Sequence, residues 1–419
     1  MAPGRRAGAG AAVALALSAG LVLAACGSSP ARAVHGTTPT TAAPTTTAPT
    51  STLPSAVPTT TPTPVVAVAG WARPATTLPP AGGYTGVSCI SGVFCVSAGG
   101  GANEADASDS TGPGVVNAWD GAVWGTPTTY FPAPAGAAAT APELPAVACS
   151  SGPRCAVVDG SGHTSLGDGT DWSAPAPLAG LPATPSNPAD PGPGHTASRA
   201  AAVDCPTGQF CAYVDDTGHV AVLHGTSWST PQAMTTTSGG RTVGLYQAGR
   251  PAVSCTGPSA CTALVGDTVL DWNGASWTSS AAPWSAATTG DSAVSCPVPG
   301  ACVAARGAYV SLRLGTGPWS TPHAVDGSGH LDALACPTLT FCIAADAYGN
   351  VATLTGSTWS APTKVVPTPT EYASDGTSLS CPSDQFCMLL TGDGDYATYQ
   401  GPDPNAAVTT TTTPVSAAS

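Results

Sequence analysis

Fourteen of the fifteen cysteines form seven pairs, and every pair has five residues between its two members. The pairs are Cys89/Cys95, Cys149/Cys155, Cys205/Cys211, Cys255/Cys261, Cys296/Cys302, Cys336/Cys342 and Cys381/Cys387. Zinc knuckles use two to four intervening residues, and the seven histidines are not placed regularly beside the pairs. An even set at one spacing is typical of disulfides in an oxidising compartment. The pattern therefore predicts seven disulfides and an internal repeat, and it leaves only Cys26 over.

Each cysteine pair begins a segment that reads as four short strands, a to d. In the clearest copy, strand a ends at Cys205, strand b begins at Cys211, and strand d carries Trp228 after a Gly-x-x turn. This signature recurs at Gly121/Trp124, Gly169/Trp172, Gly225/Trp228, Gly274/Trp277 and Gly356/Trp359, with one longer copy at Gly315/Trp319. With Gly 50, Pro 43 and only 8% charged residues, the composition also favours strands and turns over a helical bundle or a large α/β enzyme.

Six tryptophan strands follow seven cysteine pairs, so the last repeat lacks its strand d. The missing strand precedes the first pair, where Trp71 begins a segment that resembles the one at Trp228. A closed ring explains this displacement, because the N-terminal strand completes the last blade and covers its open edge. Residues 71–401 then give about 47 per blade. We predict an all-β fold, a seven-bladed β-propeller of four-stranded blades closed by the N-terminal strand.

The N-terminus has the layout of an export signal. Arg5 and Arg6 precede an apolar run, which ends in Leu23-Ala24-Ala25-Cys26-Gly27. This ending resembles the lipobox of bacterial lipoproteins, which implies cleavage before Cys26 and lipid attachment to its thiol. The protein would then lie at the outer, extracytoplasmic face of the cell membrane, held by the lipid anchor alone. The alternative is an ordinary secreted protein with a chance cysteine.

Four segments follow from these patterns. Residues 1–25 are the signal peptide, 26–64 a Thr/Pro-rich disordered stalk, 65–401 the propeller and 402–419 a disordered tail. The repeat, of the form S-C-x5-C-x-A-V-D-x-x-G-x-V…G-x-x-W-S-x-P, is similar to one found in exported proteins of high-GC Gram-positive bacteria. The resemblance implies a propeller in the cell envelope and no particular activity.

Two recurring residue types have structural interpretations. The repeat tryptophans occupy one position in each copy, which favours packing between blades over a ligand cage. Asp159, Asp215 and Asp346 lie where a b–c turn needs a short polar side chain, and calcium binding is the alternative there.

The long insertions predict which face of the ring binds a ligand. Because strands alternate in direction, the short a–b and c–d turns share one face, while the b–c loop at 97–114 and the long d–a connections share the other. Loops on a rigid scaffold commonly carry recognition, although neutral drift would also lengthen them. The ligand-binding candidates on this face are Arg199, Arg241, Tyr246, Arg250, Arg306, Glu371 and Tyr372.

The function expected is a binding or scaffolding module for an envelope glycan or an envelope protein. A formal charge of −13 excludes the basic footprint of a nucleic-acid binder. No sequence motif indicates a catalytic residue, a metal site or a cofactor, so none is predicted, and we expect a monomer. The alternative is a sialidase-like glycoside hydrolase built from Arg199, Arg241, Arg250, Tyr246 and Glu371, although the S-x-D-x-G-x-x-W box typical of that family is missing. An oxidoreductase propeller has no supporting ligand spacing.

Overall fold

A computed structural model describes residues 70–402, except 74–76, 79–82, 101–112, 133–144, 153, 183–199, 239–240, 245–248, 285–287, 328–330 and 368–375. Cys26, the stalk and the C-terminal tail lie outside the described residues. Within the described ranges, no helix is long and apolar enough to cross a membrane.

The described strands form seven antiparallel blades, and the first three are built as follows. Blade 1 contains β2 (Tyr84–Ser91), β3 (Phe94–Gly100), β4 (Gly114–Trp119) and β5 (Thr128–Phe131). Blade 2 contains β6 (Ala146–Ser150), β7 (Arg154–Val158), β8 (His163–Gly167) and β9 (Ala176–Pro177). Blade 3 contains β10 (Ala201–Thr207), β11 (Phe210–Asp215), β12 (His219–His224), β13 (Ser227–Trp228) and β14 (Gln232–Ala233). A separate hairpin, β15 (Thr235–Ser238) with β16 (Arg241–Gly244), follows blade 3.

The last four blades repeat the pattern. Blade 4 contains β17 (Ala252–Gly257), β18 (Ala260–Val265), β19 (Thr268–Trp272) and β20 (Trp277–Ala281). Blade 5 contains β21 (Ser292–Val298), β22 (Ala301–Arg306), β23 (Tyr309–Leu314) and β24 (His323–Ala324). Blade 6 contains β25 (Leu331–Thr338), β26 (Phe341–Asp346), β27 (Asn350–Thr355), β28 (Thr358–Trp359) and β29 (Thr363–Lys364). Blade 7 contains β30 (Thr377–Ser383), β31 (Phe386–Thr391), β32 (Tyr396–Gln400) and β1 (Gly70–Ala72).

The N-terminal strand closes the ring, as the sequence predicts. β1 pairs antiparallel with β32, and Trp71 lies opposite Tyr399 in the register. Blade 7 therefore combines strands from both ends of the domain, and β32 has a hydrogen-bonded partner on each side.

The first strand of each blade is the innermost. Each of these strands contacts the first strands of both neighbouring blades, and β30 contacts β2 to complete the circle. They surround a central channel. Because the first strands run in the same direction, their N-terminal ends meet at one mouth of that channel, on the face of the d–a connections.

All seven predicted disulfides are present. Each joins a strand a to its strand b across the connecting turn, with Cα–Cα distances of 3.9–4.1 Å. They fasten each a–b hairpin on the face opposite the channel mouth.

The bridges also contribute to the core between the blades. The second cysteine of every pair is buried, with an exposed fraction between 0% and 4%: Cys95, Cys155, Cys211, Cys261, Cys302, Cys342 and Cys387. Each of the seven belongs to an apolar cluster between two blades. The physical reason is that strand b is flanked by strands a and c within its sheet and covered by a neighbouring blade. These seven cysteines are therefore packing residues of the core as well as disulfide partners.

The repeat tryptophans pack between blades, as predicted. Seven apolar clusters fill the seven blade–blade interfaces, and each includes one of the repeat tryptophans. The seven are Trp71, Trp124, Trp172, Trp228, Trp277, Trp319 and Trp359. Trp71 fills the interface between blades 6 and 7, so the closing strand also supplies core.

Candidate ligand site at the mouth of the central channel

The channel mouth is a small cleft lined by the N-terminal ends of the first strands. It has a volume of about 210 Å³, and all seven blades contribute lining residues. Most of these residues are small or apolar, and three charged side chains lie among them: Arg250, Asp291 and Asp332. Charged groups concentrated in a concave, otherwise apolar site mark it as the candidate ligand site of this face.

Arg250 extends across the channel. It lies just before the first strand of blade 4, and its Nη1 donates a hydrogen bond of 3.5 Å to the carbonyl oxygen of Thr85 in blade 1. Blades 1 and 4 stand on opposite sides of the ring, so the guanidinium lies in the middle of the mouth. Its Nη2 is buried and has no hydrogen-bond partner within the described ranges.

Asp291 contacts both the backbone and the side chain of Arg250. One carboxylate oxygen accepts a 2.7 Å hydrogen bond from the Arg250 backbone N–H, and the other lies 3.7 Å from Arg250 Nε. The Arg250 carbonyl in turn accepts a hydrogen bond from the Ser292 N–H at 2.9 Å. Backbone and side chain of Arg250 are thus fixed by the neighbouring blade.

Asp332 of blade 6 is the third charged group of the mouth. Burial raises its pKa to about 7, and the negative charge of Asp291 adds to this effect. The positive charge of Arg250 and a hydrogen bond from the Thr377 N–H act in the opposite direction. Near neutral pH, Arg250 and Asp291 therefore lie beside an aspartate, Asp332, that is partly protonated.

Arg306 lies beside this cluster within the wall of blade 5. It is the last residue of β22 and only 4% exposed. Burial lowers the pKa of its guanidinium, while the charges of Asp267 and Asp291 oppose that shift. Arg306 thus stands behind Asp291, and Arg250 is the arginine that enters the channel.

The structure brings together part of the predicted ligand set. Arg250 and Arg306 both lie beside Asp291. Arg241 is described through its backbone alone, as the first residue of β16, where it pairs with Ser238. The remaining predicted ligand residues, Arg199, Tyr246, Glu371 and Tyr372, lie outside the described residues. The glycosidase alternative depends on three of them and stays a prediction.

Asp291 and Asp332 were missed by the sequence reasoning, although a signal was present. Arg250 and Asp291 each stand five residues before the first cysteine of their blade, and Asp332 stands four residues before its own. These positions begin the innermost strands. Once strand a is known to line the channel, charged residues there are expected at the mouth.

The aspartates of the b–c turns are structural in the described geometry. Asp215 Oδ1 accepts hydrogen bonds from the N–H groups of Thr217 and His219, and Asp346 Oδ1 does the same for Tyr348 and Asn350. Asp159 likewise accepts a hydrogen bond from a turn N–H, that of His163. Within the described ranges, no group of three His, Cys, Asp or Glu side chains is placed to hold a metal ion.

Comparison with known proteins identifies the fold alone. No protein-family model matches the chain, and no curated protein matches it significantly. Among solved structures, YCF48 bound to a D1 peptide matches with a TM-score of 0.50 and 14% identity, covering 81% of this chain and 99% of that one. A streptogramin B lyase matches with a TM-score of 0.51 and 11% identity, over 79% and 97%. The WD40 β-propeller domain of Doa1 matches with a TM-score of 0.52 and 9% identity, over 79% and 97%.

Proposed function

We propose that this protein is a binding module on the outer face of the cell membrane, anchored by lipid on Cys26. The channel mouth captures a carboxylate-bearing group of an envelope protein or an envelope glycan. The observation that carries this function is the position of Arg250, whose guanidinium is held in the middle of the mouth by Asp291 and by the Thr85 carbonyl.

Arg250 suits recognition of a carboxylate because its geometry is fixed before a ligand arrives. A guanidinium forms paired hydrogen bonds to carboxylates, and little side-chain freedom remains to be lost on binding. The buried Nη2 needs an acceptor, and a ligand oxygen entering the mouth would supply one. Protonation of Asp332 would reduce the negative charge that an arriving carboxylate meets.

The surroundings of the mouth support a macromolecular ligand. The described residues that flank the b–c loop of blade 1 and the long d–a connections lie on this face, as does the small central cleft. Of the similar folds, YCF48 has been solved with a peptide bound, which supports peptide capture by a seven-bladed scaffold of this kind.

A capture experiment with matched variants tests the proposal. Purified protein is immobilised and exposed separately to the envelope protein fraction and to protease-treated cell-wall glycan of the producing cell. Arg250→Ala should lose a partner that the wild type retains from one of the two fractions. Arg154→Ala is the control, because it removes an arginine from the opposite face, where Arg154 Nη1 donates to the Gly208 carbonyl.

The two fractions separate the possible sources of the carboxylate. Loss of a protein partner in Arg250→Ala identifies a peptide or protein ligand, and loss of glycan identifies an acidic polysaccharide. Equal capture by the wild type and Arg250→Ala, with both variants melting at the wild-type temperature, would overturn the assignment of the mouth.

A further inference from the structure

Arg250 and Asp332 line the same small cleft but do not form an ion pair. Both residues belong to the channel mouth, whose volume is about 210 Å³. Among the described residues, the acidic group within ion-pair distance of the Arg250 side chain is Asp291, at 3.7 Å from Nε. The guanidinium and the Asp332 carboxylate therefore approach one space from different blades without meeting.

The space between the two groups lies beside Gly376, the residue before the first strand of blade 7. A Cβ atom on Gly376 would lie 3.2 Å from Asp332 Oδ2 and 3.7 Å from Arg250 Cζ. The backbone of Gly376 has a φ of +75°, which favours glycine, and the missing side chain leaves this position open. One point in the mouth is therefore within contact distance of both a guanidinium and a carboxylate.

The surroundings of each group leave its charge poorly compensated. Nη2 of Arg250 is buried and has no hydrogen-bond partner within the described ranges. Burial is the largest cause that raises the pKa of Asp332 to about 7, and the charges of Asp291 and Asp346 add to it. The positive charge of Arg250 and the hydrogen bond from the Thr377 N–H oppose this shift without reversing it. The guanidinium therefore needs an acceptor, and the Asp332 carboxylate needs a cationic donor.

The positions of these groups restrict the ligand that could satisfy both. Because the guanidinium and the carboxylate approach one point beside Gly376, the anionic and the cationic group of the ligand must be close neighbours in its covalent structure. The rest of the lining includes small residues, Gly86, Ala146 and Ala252 among them, and the cleft admits only a small group. An α-amino acid meets both conditions, since its carboxylate and its ammonium are attached to the same carbon atom.

We propose that the channel mouth binds an α-amino acid group whose carboxylate and ammonium are both free. This inference rests on the proposed function, because the ligand carboxylate is the group that Arg250 captures. Arg250 Nη2 donates to that carboxylate, and the Asp332 carboxylate accepts a hydrogen bond from the ammonium. Both contacts are charge-assisted, and the ammonium supplies the positive charge that Asp332 otherwise takes up as a proton.

Matched analogues of one amino acid test the two contacts separately. Calorimetric titration of the purified protein measures the binding of L-alanine and D-alanine, of N-acetylalanine, which has no ammonium, and of alaninamide, which has no carboxylate. At least one alanine enantiomer should bind. Each analogue of that enantiomer should bind about tenfold more weakly or worse, which is equivalent to about 1.4 kcal/mol.

Two variants assign each ligand group to its residue. Asp332→Asn should bind alanine and N-acetylalanine with equal affinity, because it no longer distinguishes the ammonium. Arg250→Ala should bind alanine and alaninamide with equal affinity, because it no longer distinguishes the carboxylate. Arg154→Ala, on the opposite face, is the control and should bind alanine as the wild type does. A thermal melt checks that each variant is folded.

The direction of proton exchange is a second readout of the contact with Asp332. An ammonium beside this carboxylate favours the ionised form, so the binding of alanine near pH 7 should release protons. A carboxylate without an ammonium favours the protonated form, so the binding of N-acetylalanine should take protons up. Titration in two buffers of different ionisation enthalpy measures the direction for each ligand.

The source of the amino acid group is identified with Nε-acetyl-lysine, whose α groups are free and whose side chain is blocked. An affinity equal to that of alanine indicates a residue attached to an envelope polymer through its side chain, and binding of alanine alone indicates a free amino acid. Equal affinity of the wild type for alanine and N-acetylalanine would overturn the inference and leave carboxylate capture by Arg250 standing. Failure of both alanine enantiomers to bind would also overturn it, while the envelope capture experiment would still decide the proposed function.

Discussion

Ser88 Oγ of blade 1 accepts a 2.9 Å hydrogen bond from the backbone N–H of Cys149 in blade 2. Ser88 immediately precedes the first cysteine of its blade, and the same relation joins four other neighbouring blades. The acceptor and donor residues are Ser380 and Cys89, Asp204 and Cys255, Ser254 and Cys296, and Ser295 and Cys336. Because strand a is the inner edge of its sheet, part of its backbone has no partner within the blade, and this side chain supplies one.

Ala335→Ser should stabilise the ring. Ala335 occupies the serine position of blade 6 and has no side-chain oxygen to accept a hydrogen bond from the Cys381 N–H. A serine there would supply one hydrogen bond, worth about 1 kcal/mol, and should raise the melting temperature by about 2 °C. Differential scanning calorimetry measures the change. Ala333→Ser, two residues earlier in the same strand, is the control and should not stabilise. Equal or lower stability of Ala335→Ser would contradict the role assigned to Ser88.

Stability should fall as the pH rises from about 4 to about 7. Burial raises the pKa of Asp204 to about 6 and that of Asp332 to about 7, both above the usual 3.8 of the unfolded chain. The folded state therefore binds these protons more tightly than the unfolded chain does. The resulting contribution to the free energy of unfolding is complete below the unfolded pKa and is lost as the pH rises through the folded pKa. Asp332→Asn keeps a neutral side chain of the same shape, so its melting temperature should vary less with pH.

The comparison of wild type and Asp332→Asn across this range is the decisive measurement. The melting temperature of Asp332→Asn, relative to that of the wild type, should rise steadily between pH 4 and pH 7. If the melting temperatures of the two proteins change in parallel with pH, the pKa of Asp332 is ordinary and the prediction is wrong. Asp168→Asn is the control, since hydrogen bonds from its own turn, with the Asp171 N–H as the largest cause, lower the pKa of that exposed carboxyl.

Removal of the closing strand should destabilise the whole domain. Trp71 packs between blades 6 and 7, and its ring lies 5.7 Å from that of Tyr399. Trp71→Ala should cost about 3 kcal/mol of unfolding free energy, as for other large-to-small core changes. Deletion of residues up to Ala72 should cost more, because β32 then loses its edge partner. Urea denaturation compares them with Trp359→Ala, which removes the equivalent tryptophan and leaves the ring closed. A deletion no more destabilising than Trp359→Ala would contradict closure by β1.

Cys26→Ala should release the protein from the membrane. If the thiol of Cys26 carries the lipid, the variant takes up no labelled fatty acid and appears in the medium, because hydrophobic insertion of the acyl chains is the proposed anchor. Metabolic labelling and fractionation of the producing cells measure both effects. Arg250→Ala should remain labelled and membrane-bound. If the wild type appears in the medium in the same amount as Cys26→Ala, the protein is an ordinary secreted protein without a lipid anchor.

The disulfide and tryptophan spacings predicted the architecture because the relevant contacts are local. Cys205 and Cys211 fasten a hairpin within six residues, so their pairing follows from the chain itself. The displaced Trp71 predicted closure, since a strand d that precedes the first repeat can complete the last repeat only in a closed ring. The sequence could not place strand a innermost, because a repeat pattern is the same for either orientation of the blade.

The burial of individual cysteines did not follow from their spacing. The second cysteine of every pair is buried because a neighbouring blade covers it, and blade packing is not encoded in the five-residue interval. The same spacing would describe a bridge on the surface of an isolated hairpin.

The sequence by itself determined the number of blades, the seven disulfides, the closing strand and the packing role of the repeat tryptophans. Only the tertiary structure decided which side chains meet. Arg250 reaches Thr85, which is 165 residues earlier in the chain, because the ring brings their strands to one channel. Arg313 pairs with Asp271 of the preceding blade, 42 residues away. Contacts of this kind depend on the radius of the ring and the angle between blades, and these are set by packing over the whole ring.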